Sequence, residues 1–112
     1  MNIDYKIQEQ ILILILREKY LDAKNASTFK DEVFELIRTQ GLYRIILDLS
    51  YLNFMDSSAL RSLLIIQKFL ITQGGSLKLA CANTSVHKML EISAVRQMFG
   101  IFNTIEEAIR AF

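Results

Sequence analysis

The chain has no proline and no tryptophan, one cysteine, one histidine and four glycines among 112 residues. Each scarcity removes a class of chemistry. A single cysteine, Cys81, makes an internal disulfide impossible and argues against a Cys-ligated zinc site. A single histidine, His87, and the lack of a Gly-x-Ser-x-Gly elbow speak against a serine hydrolase. No glycine-rich phosphate cradle is present, so nucleotide binding by the chain itself has no support. Charge of one sign is also lacking: 13 basic and 12 acidic residues leave a net charge of +1, and no basic block occurs. Direct nucleic-acid binding, which needs a concentrated cationic face, is not expected. The most apolar run, Ile11 to Leu16, is six residues long and flanked by Glu9-Gln10 and Arg17-Glu18-Lys19. It falls far short of the ~20 residues a spanning helix needs, and no basic start with a cleavage site surrounds it. A cytoplasmic protein without direct membrane insertion is the expectation.

Hydrophobic residues make up 52% and charged residues 22%, the balance of a globular chain rather than a disordered one. The length suits one domain over residues 1–112. Ile3, Tyr5 and Ile7 alternate with Asn2, Asp4 and Lys6, the period of a half-buried strand near a sheet edge. Glu9-Gln10 reads as a tight turn without the Asn-Gly chemistry such turns prefer. Ile11 to Leu16 reads as a strand covered on both faces, closed by Tyr20-Leu21-Asp22. Asn25 or Ser27 can cap a helix with Phe29, Val33, Leu36 and Ile37 at helical spacing, ended by Gly41. Arg44 to Leu49 is a third strand, again buried on both faces. Ser57 to Gln73 is a second helix, terminated by Gly74-Gly75. Ser76 to Ala82 is a fourth strand, with Leu77, Leu79 and Cys81 on its core side. Thr84 to Ile92 is a third helix. Phe99 to Phe102 adds a short strand, and Thr104 with Glu107 forms a capping box for a last helix to about Ala111. Strands alternating with helices predict an α/β fold: a small mixed four- to five-stranded sheet with about four helices packed mainly on one face.

The stretch of greatest interest is Asn53-Phe54-Met55-Asp56-Ser57-Ser58-Ala59-Leu60, a polar knuckle between a buried strand and a long apolar helix. Such knuckles expose backbone N–H groups and place chemistry in α/β proteins. Two hydroxyls beside a carboxylate at a helix start fit helix capping; they also fit a phosphorylation switch. Asp22, Asp48 and Asp56 could gather at one end of the sheet for acid–base work, although such residues more often cap turns and helices, the favoured reading here.

Read together, Ile46-Leu47-Asp48-Leu49-Ser50 and Phe54-Met55-Asp56-Ser57-Ser58-Ala59-Leu60 resemble the STAS domain family, in particular its stand-alone anti-sigma factor antagonists. Leu21-Asp22 matches the family's acidic residue after the second strand, and Gln73-Gly74-Gly75-Ser76-Leu77 its Gly-Gly turn. Met89-Leu90-Glu91-Ile92-Ser93 and Ala94 to Phe99 resemble its helix-turn-short helix region. The resemblance implies that Ser57 is a phosphorylation site in a partner-switching, non-enzymatic regulator without cofactor or metal. The unphosphorylated form would bind an ATP-dependent serine kinase that doubles as an anti-sigma factor, and a PP2C-type phosphatase would reverse the modification. The chain departs from the family pattern at Ala59 and Arg61, where glycines are usual, and at Glu18-Lys19-Tyr20, which lacks a glycine before Leu21-Asp22. Ala59 is expected to set a methyl, and Arg61 a long cation, where a partner approaches. These two departures leave an alternative open, a non-phosphorylated STAS subunit of an ABC-type lipid-transport complex.

On the second helix, Leu60, Leu63, Leu64, Ile66, Leu70 and Ile71 are expected to face the core. Ser58, Ser62, Ile65 and Phe69 form a second stripe. Either that stripe is also packed inward, or Ile65 and Phe69 are exposed and form an apolar patch for a partner. On the second reading the expected partner surface comprises Asp22, Asp56, Ser57, Ser58, Arg61, Ser62, Ile65 and Phe69.

Overall fold

The computed structural model describes residues 1–92 and 94–112. Strands β1 (Ile3–Gln8) and β2 (Ile11–Leu16) form a hairpin, followed by the short β3 (Tyr20–Leu21) and helix α1 (Ala26–Gln40). Next come β4 (Arg44–Asp48), the short β5 (Phe54–Met55) and α2 (Ser57–Thr72). The chain ends with β6 (Ser76–Ala80), α3 (Thr84–Ile92), a 3-10 turn (Ala94–Met98), β7 (Gly100–Phe102) and α4 (Ile105–Arg110). The main sheet has five strands in the order β1-β2-β4-β6-β7. Only the β1–β2 pair is antiparallel; the others are parallel. β3 and β5 form a separate parallel pair, Tyr20 against Phe54 and Leu21 against Met55. The expected mixed sheet is therefore present, but Tyr20-Leu21 does not close β2. It leaves the main sheet to pair with the knuckle. No helix among the described residues is long and apolar enough to cross a membrane. Within the helix-turn-short helix stretch, Ser93 lies outside the described residues.

Apolar side chains fill both faces of the sheet. Leu12, Leu14 and Leu16 join Ile45, Leu47, Phe29, Val33, Ile37, Leu63, Ile66, Leu70, Val86 and Leu90 under α1, α2 and α3. The intervening Ile11, Ile13 and Ile46 meet Ala108, Ile105 and Ile109 of α4 on the opposite face. This explains why β2 is apolar at every position and β4 from Ile45 to Leu47: both faces of each strand are covered there. β1 is an edge strand as expected, but it is less buried than its alternation suggests. Only Ile3 is half-buried, while Tyr5 and Ile7 remain 45% and 51% exposed.

Three chain reversals show the local physics. The β1–β2 turn holds Glu9 at φ 53° and Gln10 at φ 64°, both in the left-handed region that Asn and Gly adopt more easily. Gly74 sits at φ 80°, and a Cβ on Gly75 would stand 2.0 Å from the carbonyl oxygen of Tyr43. The two glycines are thus required for different reasons, one by backbone conformation and one by close approach. Cys81 was expected on the core side of a strand reaching Ala82. The strand instead ends at Ala80, and Cys81, at φ 64°, leaves the alternation. Its half-buried thiol lies with the α4-side cluster, near Asp48. Burial, reinforced by the Asp48 charge, pushes that thiol's pKa up.

Candidate functional site

The knuckle is held by the second, smaller sheet. The N–H groups of Asn53 and Phe54 donate to the Lys19 carbonyl at 2.7 and 3.2 Å, and the Asp56 N–H donates to Leu21 at 3.2 Å. Met55 is fully buried and anchors the segment to the core. The chain enters α2 from a fixed direction as a result.

Asp56 is the N-cap of α2. Its Oδ1 accepts from the N–H groups of Ser58 and Ala59 at 2.9 and 3.2 Å. Its Oδ2 accepts from the Ala23 N–H at 3.1 Å, which ties the start of α2 to the loop before α1. Asp22, in that same loop, accepts the Lys24 N–H at 3.0 Å on Oδ1. Its carbonyl accepts from Asn25 and Ala26 at 3.1 and 2.8 Å. Asn25 is the N-cap of α1 by position, yet its side chain bonds Asp22 N–H and the Tyr20 carbonyl instead of the helix. The structure thus brings Asp22 and Asp56 to neighbouring turns. Asp48 is apart from both: it is buried, accepts the Ser50 N–H at 2.8 Å and faces Cys81. All three carboxylates stabilise turns or helix starts, in keeping with the capping reading.

Ser57 is the first residue of α2, exposed, with a hydroxyl that has no partner among the described residues. Asp56 leaves the Ser57 N–H uncapped while satisfying the next two. Ser58 is half-buried. Ser62, expected on the partner surface, is buried and donates through Oγ to the Ala26 carbonyl at 3.1 Å. It joins α2 to α1 and is withdrawn from the surface set. The exposed stripe of α2 is instead Ser57, Arg61, Ile65 and Phe69, spaced by four residues. Ile65 is 42% exposed and Phe69 37%, with Phe69 also edge-on to Phe34 at 5.4 Å. Ile71, expected to face the core, is 54% exposed, and its place inside is taken by the buried Gln67. Gln67 accepts the Leu77 N–H at 2.7 Å and donates to the carbonyls of Leu77 and Met98. Ala59 is fully buried, so its methyl points into the core and not toward any partner; Arg61 is exposed.

Two neighbours of Ser57 were not anticipated. Tyr20 and Phe54, paired across the small sheet, are both exposed. Phe54 also lines a groove of about 440 Å³ with Met55, Leu60, Ser85, Val86, Lys88 and Met89. Strands of two residues are too short to show a period, so the sequence carried no signal for this. Elsewhere, His87 Nδ1 lies 3.5 Å from Glu91 on α3. Among the described residues no cluster of three or more His, Cys, Asp or Glu could hold a metal ion.

Known proteins share this fold. A protein of Thermotoga neapolitana, named as a homologue of a candidate anti-sigma factor antagonist, is 34% identical over 105 residues, covering 94% of this chain and 92% of its own length. The crystal structure of a candidate anti-sigma factor antagonist from Thermotoga maritima matches with a TM-score of 0.89 and 31% identity, over 97% of this chain and 92% of that one. SpoIIAA of Bacillus in its phosphorylated form shares the fold at a TM-score of 0.70 and 21% identity, over 98% of each chain. The STAS domain model matches residues 2–108, nearly the whole chain, and the chain belongs to the STAS domain family.

Proposed function

We propose that this chain is an anti-sigma factor antagonist that works as a phosphorylation-controlled partner switch in the cytoplasm. Unphosphorylated, it binds a serine kinase that doubles as an anti-sigma factor and uses ATP. Phosphorylation at Ser57 ends that binding, and a PP2C-type phosphatase restores it. The chain acts by binding and not as an enzyme. The observation that carries this reading is Ser57 itself: an exposed hydroxyl, without a partner among the described residues, at the first position of a helix whose start is held by Asp56. The names of its relatives, and the phosphorylated form known for SpoIIAA, support it.

A phosphate on Ser57 adds roughly −1.5 to −2 charge at neutral pH. The free N–H of Ser57 and the helix dipole favour it by about 0.3–1 kcal/mol, and the adjacent Asp56 carboxylate opposes it. These terms partly cancel, so little change in the fold is expected and the switch acts at the interface. There, an uncompensated buried phosphate costs several kcal/mol. The docking surface comprises Ser57, Arg61, Ile65 and Phe69 on α2, with Tyr20 and Phe54 beside them. Asp22 and Asp56 hold the turns beneath, with Ser58 half-buried between them. The lipid-transport alternative rested on Ala59 and Arg61. With Ala59 inside the core, Arg61 alone remains for it.

The test is phosphopeptide mapping of the protein from its own cells under resting and stressed conditions, paired with capture of the kinase by Ser57→Ala and Ser57→Asp. Condition-dependent phosphate on Ser57, and a folded Ser57→Asp that loses the kinase held by Ser57→Ala, is the expected outcome. Phosphate absent from Ser57 in every condition, with an ATPase of a transporter co-purifying, refutes it.

A further inference from the structure

β1 is an outer strand of the sheet, and every residue from Asp4 to Gln8 is exposed. Edge strands are normally guarded by shortness, proline, bulges or clustered lysines. β1 has six residues, no proline and an unbroken register from Ile3–Leu16 to Gln8–Ile11. Its single lysine stands two residues from its single acid.

The register decides which backbone groups are free. The Arg17 N–H donates to the Asn2 carbonyl at 2.8 Å, so Asn2 and Arg17 are a hydrogen-bonded pair. Alternation puts Asp4, Lys6 and Gln8 in the same class. The N–H and C=O groups of Ile3, Tyr5 and Ile7 therefore point outward from the sheet edge. Their side chains lie on the α1 face, where the Tyr5 hydroxyl accepts from Gln40 at 3.2 Å.

We propose that β1 pairs antiparallel with β1 of a second copy about a twofold axis at Tyr5, joining two sheets into one. Tyr5 then faces Tyr5 of the second copy, and Ile3 faces its Ile7 on either side. Each of these three pairs exchanges two backbone hydrogen bonds, which uses every outward group of the strand. Between them, Asp4 faces Lys6 of the second copy twice, in the closer, non-hydrogen-bonded positions. Asp4 Oδ2 already meets Arg17, and its other oxygen is free to accept from that lysine. Lys6 has no partner within its own chain among the described residues. Charge also selects this register. A slip by two residues one way sets Asp4 against Asp4, and a slip the other way sets Lys6 against Lys6. The contact is isologous and closes on itself, so it gives a dimer and not a fibre. Tyr5 and Ile7, the exposed apolar residues of the strand, become covered.

Sedimentation equilibrium over a series from micromolar to millimolar protein tests this. Wild type should show a reversible monomer–dimer equilibrium. Tyr5→Pro removes an outward N–H and no β1–β2 bond, and should be monomeric with an unchanged far-UV spectrum. Lys6→Glu and Asp4→Lys should each weaken self-association by about tenfold or more, because each sets like charges opposite. Mixed together, these two variants place opposite charges at both positions and should recover the dimer as a heterodimer. The mixing experiment keeps the proposal decidable if Tyr5→Pro fails to fold. Wild type that is monomeric throughout overturns it, as does a dimer that neither Tyr5→Pro nor the charge variants weaken.

Discussion

Replacing Asp56 by alanine tests whether the start of α2 is a rigid platform. The substitution removes three accepted hydrogen bonds, two from the first turn of α2 and one from Ala23. Loss of an N-cap costs about 1–2 kcal/mol, and the partly exposed bond to Ala23 adds about 1 kcal/mol. The expected destabilisation is therefore about 2–3 kcal/mol. At a urea m-value of about 1.5 kcal/mol/M, the unfolding midpoint falls by roughly 1.3–2 M. Asp56→Asn separates the two contributions. Asparagine caps as well as aspartate through its one oxygen, but its NH2 cannot accept from Ala23, so only that link is lost and the cost should stay near 1 kcal/mol. Asp22→Ala, which loses a single side-chain-accepted bond to Lys24, serves as the control and should cost less than Asp56→Ala. Urea titrations followed by far-UV circular dichroism read all three. An Asp56→Ala protein within about 0.5 kcal/mol of wild type would refute the reasoning, because no buried or paired role at that site costs so little.

Other expectations follow from single features. Gly75→Ala should destabilise by about 3 kcal/mol in the same titration, since its Cβ would collide with the Tyr43 backbone, which cannot swing aside as a side chain can. Exchanging Glu9-Gln10 for Asn-Gly should stabilise by about 0.5–1 kcal/mol, read as a higher melting temperature, because both positions are held at positive φ. Gln67→Leu should cost about 2–3 kcal/mol by stranding the buried Leu77 N–H, despite being more apolar. Burial raises the Cys81 pKa, so the folded thiol binds its proton to a higher pH than the unfolded one. Iodoacetamide alkylation followed against pH should rise later in the folded protein than in urea; a coincident profile would contradict it.

The elements were legible because their apolar periods are strong. Ile11 to Leu16 and, within Arg44 to Leu49, Ile45 to Leu47 are too short for helices and too uniformly apolar for a half-exposed strand, so both faces had to be covered. The Asp-Ser-Ser segment likewise announced a helix start, and the structure caps it there. Gly41 ended α1 as read, at φ 66° with its N–H on the Ile37 carbonyl. The misreadings cluster where a neighbour outvotes local pattern. Ser62 looked like a surface hydroxyl and is buried because the Ala26 carbonyl of α1 offers it an acceptor. Ile71, expected inside, is exposed, while Gln67 is buried because its amide pairs the backbone of Leu77 and Met98. Cys81 left its alternation through one positive φ. The sequence by itself determined where the strands of the main sheet and the helices lie and which serine opens α2, since those follow from periodicity and capping within a few residues. Only the tertiary structure decided which side chains reach the surface around Ser57. Tyr20 and Phe54 are brought together by a pairing across more than thirty intervening residues, and burial depends on what packs from far along the chain.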